Sequence, residues 1–453
     1  MELAGGATAF VVHDPTLPLV DVAVVARAGA WADPPAAPGL AELTAALLRR
    51  GGTATLEPDR FDERLDELGA IVRSQATMLY GVATLRCTSD VLDEAAPLFL
   101  DMLERPGFDA RRLAALKGNL RESMARRQLD PLAVLGREWE WLMFGAGHFS
   151  TRPLRAADLD ALTAPALADF HRRHWRPASF WIAAGGDVDG ERLRSLFDAR
   201  FRDWTAAVDP PSAAAWPPPP PAGGAAPGLY HVAADVPQAK VALGHRAPSP
   251  LPTVEERVRL EVMAEILGGR GAISRLNGRL RSAEGLVYRV AARLDPGDLW
   301  PADYRILFDT RDRDLPRALA AALEEIDRLR AAPPHPEELA TVQRELLARR
   351  RQELDTAEEA AGYLVEDALV GRPEDYRVRY EELVAAVTAE DVLATARKHL
   401  RPDQLLILVA GRWQSLAGPA DAAGWTELER LAGHRAHHLP DRDPLTLLPL
   451  DQP

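Results

Sequence analysis

Apolar positions along this chain follow two periods that alternate in blocks. Period-two alternation predicts strands at residues 7–12 and 20–28, and apolar residues spaced three and four apart then predict a helix over 39–50. Two further alternating runs, 71–75 and 78–86, precede a series of long helical patterns, and an apolar strand ending at Gly186 closes the series. The same order then recurs: strands at 229–233 and 241–247, a helical run over 253–267, strands at 287–294 and 304–309, long helices, and a closing strand before Gly411. Strands grouped with strands and helices with helices predict an α+β fold. Each half forms a mostly antiparallel sheet with helices covering one face.

The two halves also agree residue by residue. ALTAPALADFHRRHWRPASFWIAAGG (161–186) lies beside AVTAEDVLATARKHLRPDQLLILVAG (386–411) without a gap. Each reads as a Thr-Ala helix start, a helix ending in a basic residue and His, an Arg-Pro stop and an apolar strand. FDARRLAALKGNLRESMARRQLD (108–130) faces HPEELATVQRELLARRRQELD (335–355) at nearly the same offset, so the chain reads as an internal duplication. The seam is AAVDPPSAAAWPPPPPAGGAAPG, whose proline and glycine favour an extended connector. The expected organisation is a first domain at 1–205, a linker at 206–228, a second domain at 229–415 and a C-terminal extension at 416–453.

Composition narrows the function classes. With 47% hydrophobic and 27% charged residues in 453, the chain reads as a globular protein of two or three domains' length. A formal charge of -13 argues against a nucleic-acid partner, because phosphate binding needs a local excess of Lys and Arg. The single cysteine, Cys87, excludes internal disulfides and a cysteine-based zinc ribbon, and its alternating context VATLRCTSD predicts a buried structural thiol. No apolar run is long enough to span a bilayer, so no membrane partner is expected. The N-terminus lacks a basic leader before an apolar core, and the expectation is a cytoplasmic protein, or a periplasmic one if a leader has been removed.

Few segments carry candidate chemistry. The glycines of GGRGAISRLNGRLRSAEGLVYRV (268–290) suggest a phosphate loop, but no GK[ST] follows and the preceding segment is helical where a nucleotide fold needs a strand. A helix stop explains Gly268 and Gly269. His434, His437 and His438 lie in a proline-rich tail with no carboxylate between them, which predicts an exposed, solvated cluster. His174 and His399 hold equivalent repeat positions at helix ends, where a partly positive imidazole suits the helix dipole.

The segment RAGAWADPPAAPGLAELTAALLRRGGT, with two strands before it, resembles the start of the inverted-motif zinc peptidases, the pitrilysin, insulin-degrading and mitochondrial-processing-peptidase family. That family carries H-x-x-E-H on the helix, two zinc ligands one turn apart with a catalytic Glu between them. Here the matching positions are Glu42, Ala45 and Ala46, and NLRES matches the distal glutamate motif at Glu122. The resemblance therefore implies no catalytic zinc in this chain. SRLNGRLRSAEGLVY (274–288) resembles the family's second signature, which implies that Arg281 holds a substrate carbonyl or carboxylate and Tyr288 donates to the oxyanion. The residues alone allow a plainer reading, with Arg281 paired to Glu284 one helical turn away and Tyr288 an ordinary strand aromatic.

Some bacterial members divide these signatures between two similar chains. The resemblance, over about residues 3–411, implies the noncatalytic subunit of a heterodimeric peptidase, half of a clamshell. No cofactor is expected in this chain, zinc is expected in a homologous zinc-motif partner, and the substrate is expected to be a peptide or small protein, general or a dedicated precursor. The alternative within the family is a metal-free scaffold or peptide-binding paralogue without proteolytic role. The shortness of GGRGAISRL disfavours a presequence receptor.

Overall fold

A computed structural model describes residues 1–206, 223–248, 251–269, 274–352, 356–373 and 375–450. Most of the expected linker and residues 270–273 of the glycine turn therefore lie outside the described residues. Among the described residues the strands form two sheets, one in each of two compact units.

The first sheet has the order β1 (Thr8–His13), β5 (Phe180–Gly186), β2 (Leu19–Ala26), β4 (Gly81–Thr88), β3 (Ile71–Ala76), parallel only between β1 and β5. The second has the order β11 (Ala436–His438), β6 (Gly228–Ala233), β10 (Leu406–Gly411), β7 (Ala239–Arg246), β9 (Asp303–Thr310), β8 (Val287–Leu294). It is parallel between β11 and β6 and between β6 and β10, and otherwise antiparallel. The expected α+β class and the duplicated strand plan are both present. The strand expected at 78–86 begins only at Gly81, because Thr77 turns the hairpin: its amide donates to the Tyr80 carbonyl at 2.7 Å and its hydroxyl accepts the Tyr80 amide at 3.0 Å.

The helices used below are α1 (Leu40–Arg50), α2 (Ala110–Arg126), α3 (Pro131–Phe144), α4 (Ala164–His174), α5 (Val254–Gly268), α6 (Leu315–Ala331), α7 (Ala357–Val370) and α8 (Ala389–His399). Helix α1 forms where the pattern places it, with Leu40, Leu43, Leu47 and Leu48 buried on one face. Asp33 satisfies its first turn from outside the helix, accepting the amides of Gly39 at 2.6 Å and Ala41 at 2.8 Å. Burial pushes that carboxyl up to about 6, against the pull of the two amides.

The chain is not divided into units as it is divided into repeats. Unit 1 contains the described parts of Met1–Ala125, Arg152–Pro218 and Arg351–Arg372, and unit 2 those of Arg126–Thr151, Pro219–Arg350 and Pro373–Pro453. Each unit thus includes one helix encoded in the other repeat. Helix α3 packs on β7 and β10, and α7 packs on β5 and β1. The expectation of helices on one face needs correction for this reason. Every residue of β10 is buried, with Ile407 and Val409 in one apolar cluster and Leu406, Leu408 and Ala410 in a second that contains Val134, Leu135, Trp139, Leu142 and Met143 of α3. In unit 1, Ala361 and Val365 of α7 cover Val25 and Ala183. Gly185 permits that approach, since a Cβ there would stand 2.5 Å from the Ala357 backbone.

Polar contacts fix α3 in place. Its N-cap is Asp130, followed by proline at the first turn. The indole of Trp139, fully buried, donates to Asp303 at 2.7 Å. The buried Glu138 takes Arg442 from the C-terminal segment at 3.0 Å, and Arg442 lies 4.4 Å over the Trp141 ring. The C-terminal tail is ordered, with residues 427–432 a helix, residues 436–438 a strand on β6 and Arg442 built into the unit, while His434, His437 and His438 are exposed as expected.

His174 and His399 end α4 and α8 at equivalent places, as the repeat requires. Their expected positive character is corrected by burial. His174 is pushed down to about 4 by burial and by Arg173, and His171 one turn earlier is also pushed down to about 4 by burial. Burial likewise lowers His399, whose Nε2–H donates to Glu256 at 2.5 Å while Nδ1 accepts the Tyr304 hydroxyl at 3.0 Å. Cys87 is buried as expected, and its thiol is pushed up to about 11 by burial.

Replacing Trp139 with alanine is expected to cost about 3–5 kcal/mol, read from urea unfolding. Between pH 4 and 6.5 the unfolded chain binds more protons at His171 and His174 than the folded one, so stability should rise with pH across that window. The double variant His171→Gln/His174→Asn should flatten that part of the profile, and an unchanged slope would contradict the neutral assignment.

Candidate functional site

Arg281 and Tyr288 occupy the end of a π-helical segment and the beginning of an edge strand. The segment is Asn277–Ala283, with the Glu284 amide donating to the Arg279 carbonyl five residues back at 3.0 Å. Its inner side is held by Asn277, buried, whose amide donates to Ser274 Oγ at 2.9 Å. Its base is held by Arg275, which makes a two-bond fork with Glu338 at 2.9 and 3.0 Å.

The segment's charge is organised around Arg279, which sequence reasoning passed over. Arg279 pairs with Glu324, with Glu284 at 3.0 Å and with Glu325 at 3.1 Å, so its guanidinium is held well above the usual range, chiefly by Glu324. Glu284 is shared with Arg317 at 2.7 Å and is lowered by both arginines. The plainer expectation, Arg281 paired with Glu284, is therefore not what forms. Two arginines followed by a glutamate in RLRSAE were visible, but not which arginine turned inward.

Arg281 is exposed, and among the described residues no hydrogen bond or ion pair engages it. Its guanidinium carbon lies 5.6 Å from the centroid of the Tyr288 ring. Tyr288 is 80% exposed on β8, the outermost strand of its sheet. The pairing of β8 with β9 slips between Val287 and Val290, so Tyr288 and Arg289 sit in a bulge that turns both side chains outward. Gly285, with φ +61°, makes the turn between the two elements, and Thr310 Oγ1 closes it by donating to the Leu286 carbonyl at 2.7 Å. Sequence reasoning placed the arginine and tyrosine in one motif, and the structure brings them into contact.

The positions of the degenerate metal motif lie in unit 1. Ala45 is fully buried in α1, Ala46 is half-buried, and the buried Thr44 hydroxyl between Leu43 and Ala45 has no hydrogen-bond partner among the described residues. Glu42 reaches solvent from a crowded surface whose packing pushes its carboxyl up. Glu122 is exposed on α2. Glu42 and Ala46 stand where the resemblance places imidazoles and Ala45 where it places the catalytic glutamate, and these residues do not fit a zinc ion. Among the described residues no group of three His, Cys, Asp or Glu side chains could hold a metal, and no helix is long and apolar enough to cross a membrane.

Family models match both repeats: one described as insulinase (peptidase family M16) over residues 8–136, and one described as peptidase M16 inactive domain over residues 161–346. This chain belongs to the M16 peptidase family. An uncharacterized zinc protease of Mycobacterium tuberculosis is 28% identical over 272 residues, 58% of this chain and 58% of that protein. The aligned region is thus less than two thirds of that relative's length. The crystal structure of a peptidase M16 inactive domain from Pseudomonas fluorescens superposes with a TM-score of 0.80 at 24% identity, covering 91% of this chain and 97% of that one. A protease from Helicobacter pylori gives a TM-score of 0.76 at 15% identity, covering 90% and 98%. At these identities the structural likeness establishes the M16 fold.

In this M16 chain the π-helical segment depends on Arg279. Arg279→Gln is expected to cost about 1–3 kcal/mol, because Glu325 is nearly buried. Hydrogen exchange should accelerate at residues 280–286 and little elsewhere. Uniform acceleration would show that the arginine supports the whole unit and not this turn.

Proposed function

We propose that this chain is the zinc-lacking subunit of a two-chain M16 peptidase and that it contributes Arg281 and Tyr288 to peptide-bond hydrolysis in a zinc-bearing partner. The observation that supports this reading is the state of the two signatures. The ligand positions of the metal motif hold Glu42 and Ala46 and its glutamate position holds Ala45, while Arg281 and Tyr288 lie beside each other, exposed and mounted on a braced turn. A purely structural tyrosine would bury its ring or bond its hydroxyl.

The proposed division of labour follows from the chemistry. The partner's metal supplies an activated water and polarises the scissile carbonyl. Arg281 offers a planar set of donors to a substrate carbonyl or terminal carboxylate, and the Tyr288 hydroxyl donates to the oxygen on which negative charge develops. The neighbouring Arg281 guanidinium favours one placement of the tyrosine ring before substrate arrives, so less ordering is left to the reaction itself. Strand β8 is the edge of its sheet, and a peptide in extended form could add to it by main-chain hydrogen bonds, with little demand on sequence. Peptides or small proteins are the substrate class, and the relative's description as a zinc protease agrees with that class.

Mixed with an M16 chain that carries an intact H-x-x-E-H, this protein is expected to restore peptide hydrolysis that neither shows alone. Tyr288→Phe should lower turnover by about 10²–10³ with the complex still assembled on gel filtration. If Tyr288→Phe and Arg281→Ala both leave hydrolysis unchanged, the chain is a scaffold and the reading is wrong.

A further inference from the structure

At the opposite edge of the second sheet, the C-terminal strand meets β6 through two histidines. The parallel register sets His438 beside His231, and the Leu439 amide donates to the His231 carbonyl at 2.7 Å. The two Nδ1 atoms face each other at 3.0 Å. His231 is buried, and its other ring nitrogen donates to the Gly411 carbonyl at 2.8 Å. A carbonyl can only accept, so the His231 proton is on Nε2 and its Nδ1 presents a lone pair toward His438.

Two nitrogens this close need something positive between them. A proton on His438 Nδ1 is one solution. The other is a metal ion: bonds of about 2.0–2.1 Å meeting at square or tetrahedral angles separate their nitrogens by roughly 2.8–3.4 Å. The observed separation lies within that span. The hydrogen bond from His231 Nε2 to a backbone carbonyl is also the arrangement that orients metal-bound imidazoles. The pair opens onto a cleft of about 740 Å³ beyond the carboxyl ends of β11, β6 and β10. Trp413 and the carboxylates of Asp235 and Asp441 line it, so carboxylates stand on the side where further ligands would be needed. Asp235 is paired with Arg412, which leaves Asp441 as the uncompensated charge among the lining side chains.

We propose that His231 and His438 form a two-histidine site for a late first-row divalent ion, copper(II) or zinc(II), that fastens the C-terminal strand to the sheet. With two protein ligands and the remainder from water, the ion exchanges readily. Binding converts His438 to the tautomer with its proton on Nε2, so one hydrogen bond is replaced by two coordinate bonds and no proton is released. The site is four strands away from β8 in its sheet and is independent of the proposed peptidase role. Its effect is mechanical. Residues 436–438 close the β6 edge, and the segment just beyond carries Arg442, which pairs with Glu138 of α3.

The test is copper(II) and zinc(II) titration of the full chain after chelator treatment. Electron paramagnetic resonance of the one-copper form should show two ring nitrogens, and either ion should raise Tm. His438→Gln should weaken binding at least tenfold and abolish the shift in Tm. His437→Gln, at the exposed neighbour that stacks on Tyr230, should leave both intact. Equal affinity in the parent and His438→Gln would mean adventitious surface binding only, and absence of binding at saturating metal would leave the histidine pair as a hydrogen bond; either overturns the proposal. The nitrogen count on the unaltered protein decides the matter if His438→Gln does not fold, and one nitrogen would be fatal.

Discussion

The structure depends on covering the second face of each sheet. A five- or six-stranded sheet with apolar residues on both faces cannot leave either face in water, and in both units the cover for one face comes from a helix encoded in the other repeat. Trp139, Leu142 and Met143 of α3 complete the β10 side of unit 2, and Ala361 and Val365 of α7 complete the β5 side of unit 1. The two repeats are therefore separate as sequences and joined as folding units. Removing either half would uncover the other's sheet, so truncation at the linker would not yield two working domains.

That exchange bears on how a duplicated fold can lose one signature and retain another. Each repeat is constrained by the packing of its sheet, which α1 serves through Leu43, Leu47 and Leu48 whatever occupies positions 45 and 46. Alanine fits the buried position 45 better than the motif's glutamate would without a metal beside it, since a buried carboxylate must find hydrogen-bond or charge partners. The arginine and tyrosine are different. Both project outward from the sheet edge, contribute little to a core, and yet rest on a turn held by Arg275, Arg279 and Asn277. The fold spends several ion pairs on keeping two exposed side chains in one arrangement.

Much of the architecture was legible because period-two alternation is a local signal. Strands β1, β2, β6, β7 and β8 lie within a few residues of their expected positions, and α1 and α5 do as well. The helix exchange was not legible, because WEWLMF and AAGYLVEDALV are amphipathic or apolar stretches that say only that they must be covered, never by which sheet. The π-helical turn was also hidden. Its widening comes from which of Arg279 and Arg281 meets Glu324 and Glu325 on α6, a contact more than forty residues distant in sequence. The C-terminal strand was hidden for the opposite reason: the histidines signalled solvent, which His434, His437 and His438 do reach, but nothing local told of an open sheet edge at β6 that three residues of almost any kind could pair with.

The candidate site was half legible in the same sense. A motif can put Arg281 and Tyr288 seven positions apart, but whether they touch depends on the bulge at Val287–Val290 and on the glycine with positive φ that precedes it. A regular strand would have paired Tyr288 into the ladder with its ring directed by the pleat. The extra residue in β8 frees the ring from that alternation and lets it lie against the guanidinium. Because the bulge is on the edge strand, it disturbs one row of hydrogen bonds and no second neighbour. The same irregularity in β9 or β7 would break pairing on both sides and expose core. An outward-facing arginine and tyrosine pair is thus affordable in this sheet only at its rim, which is also where an extended peptide can reach it.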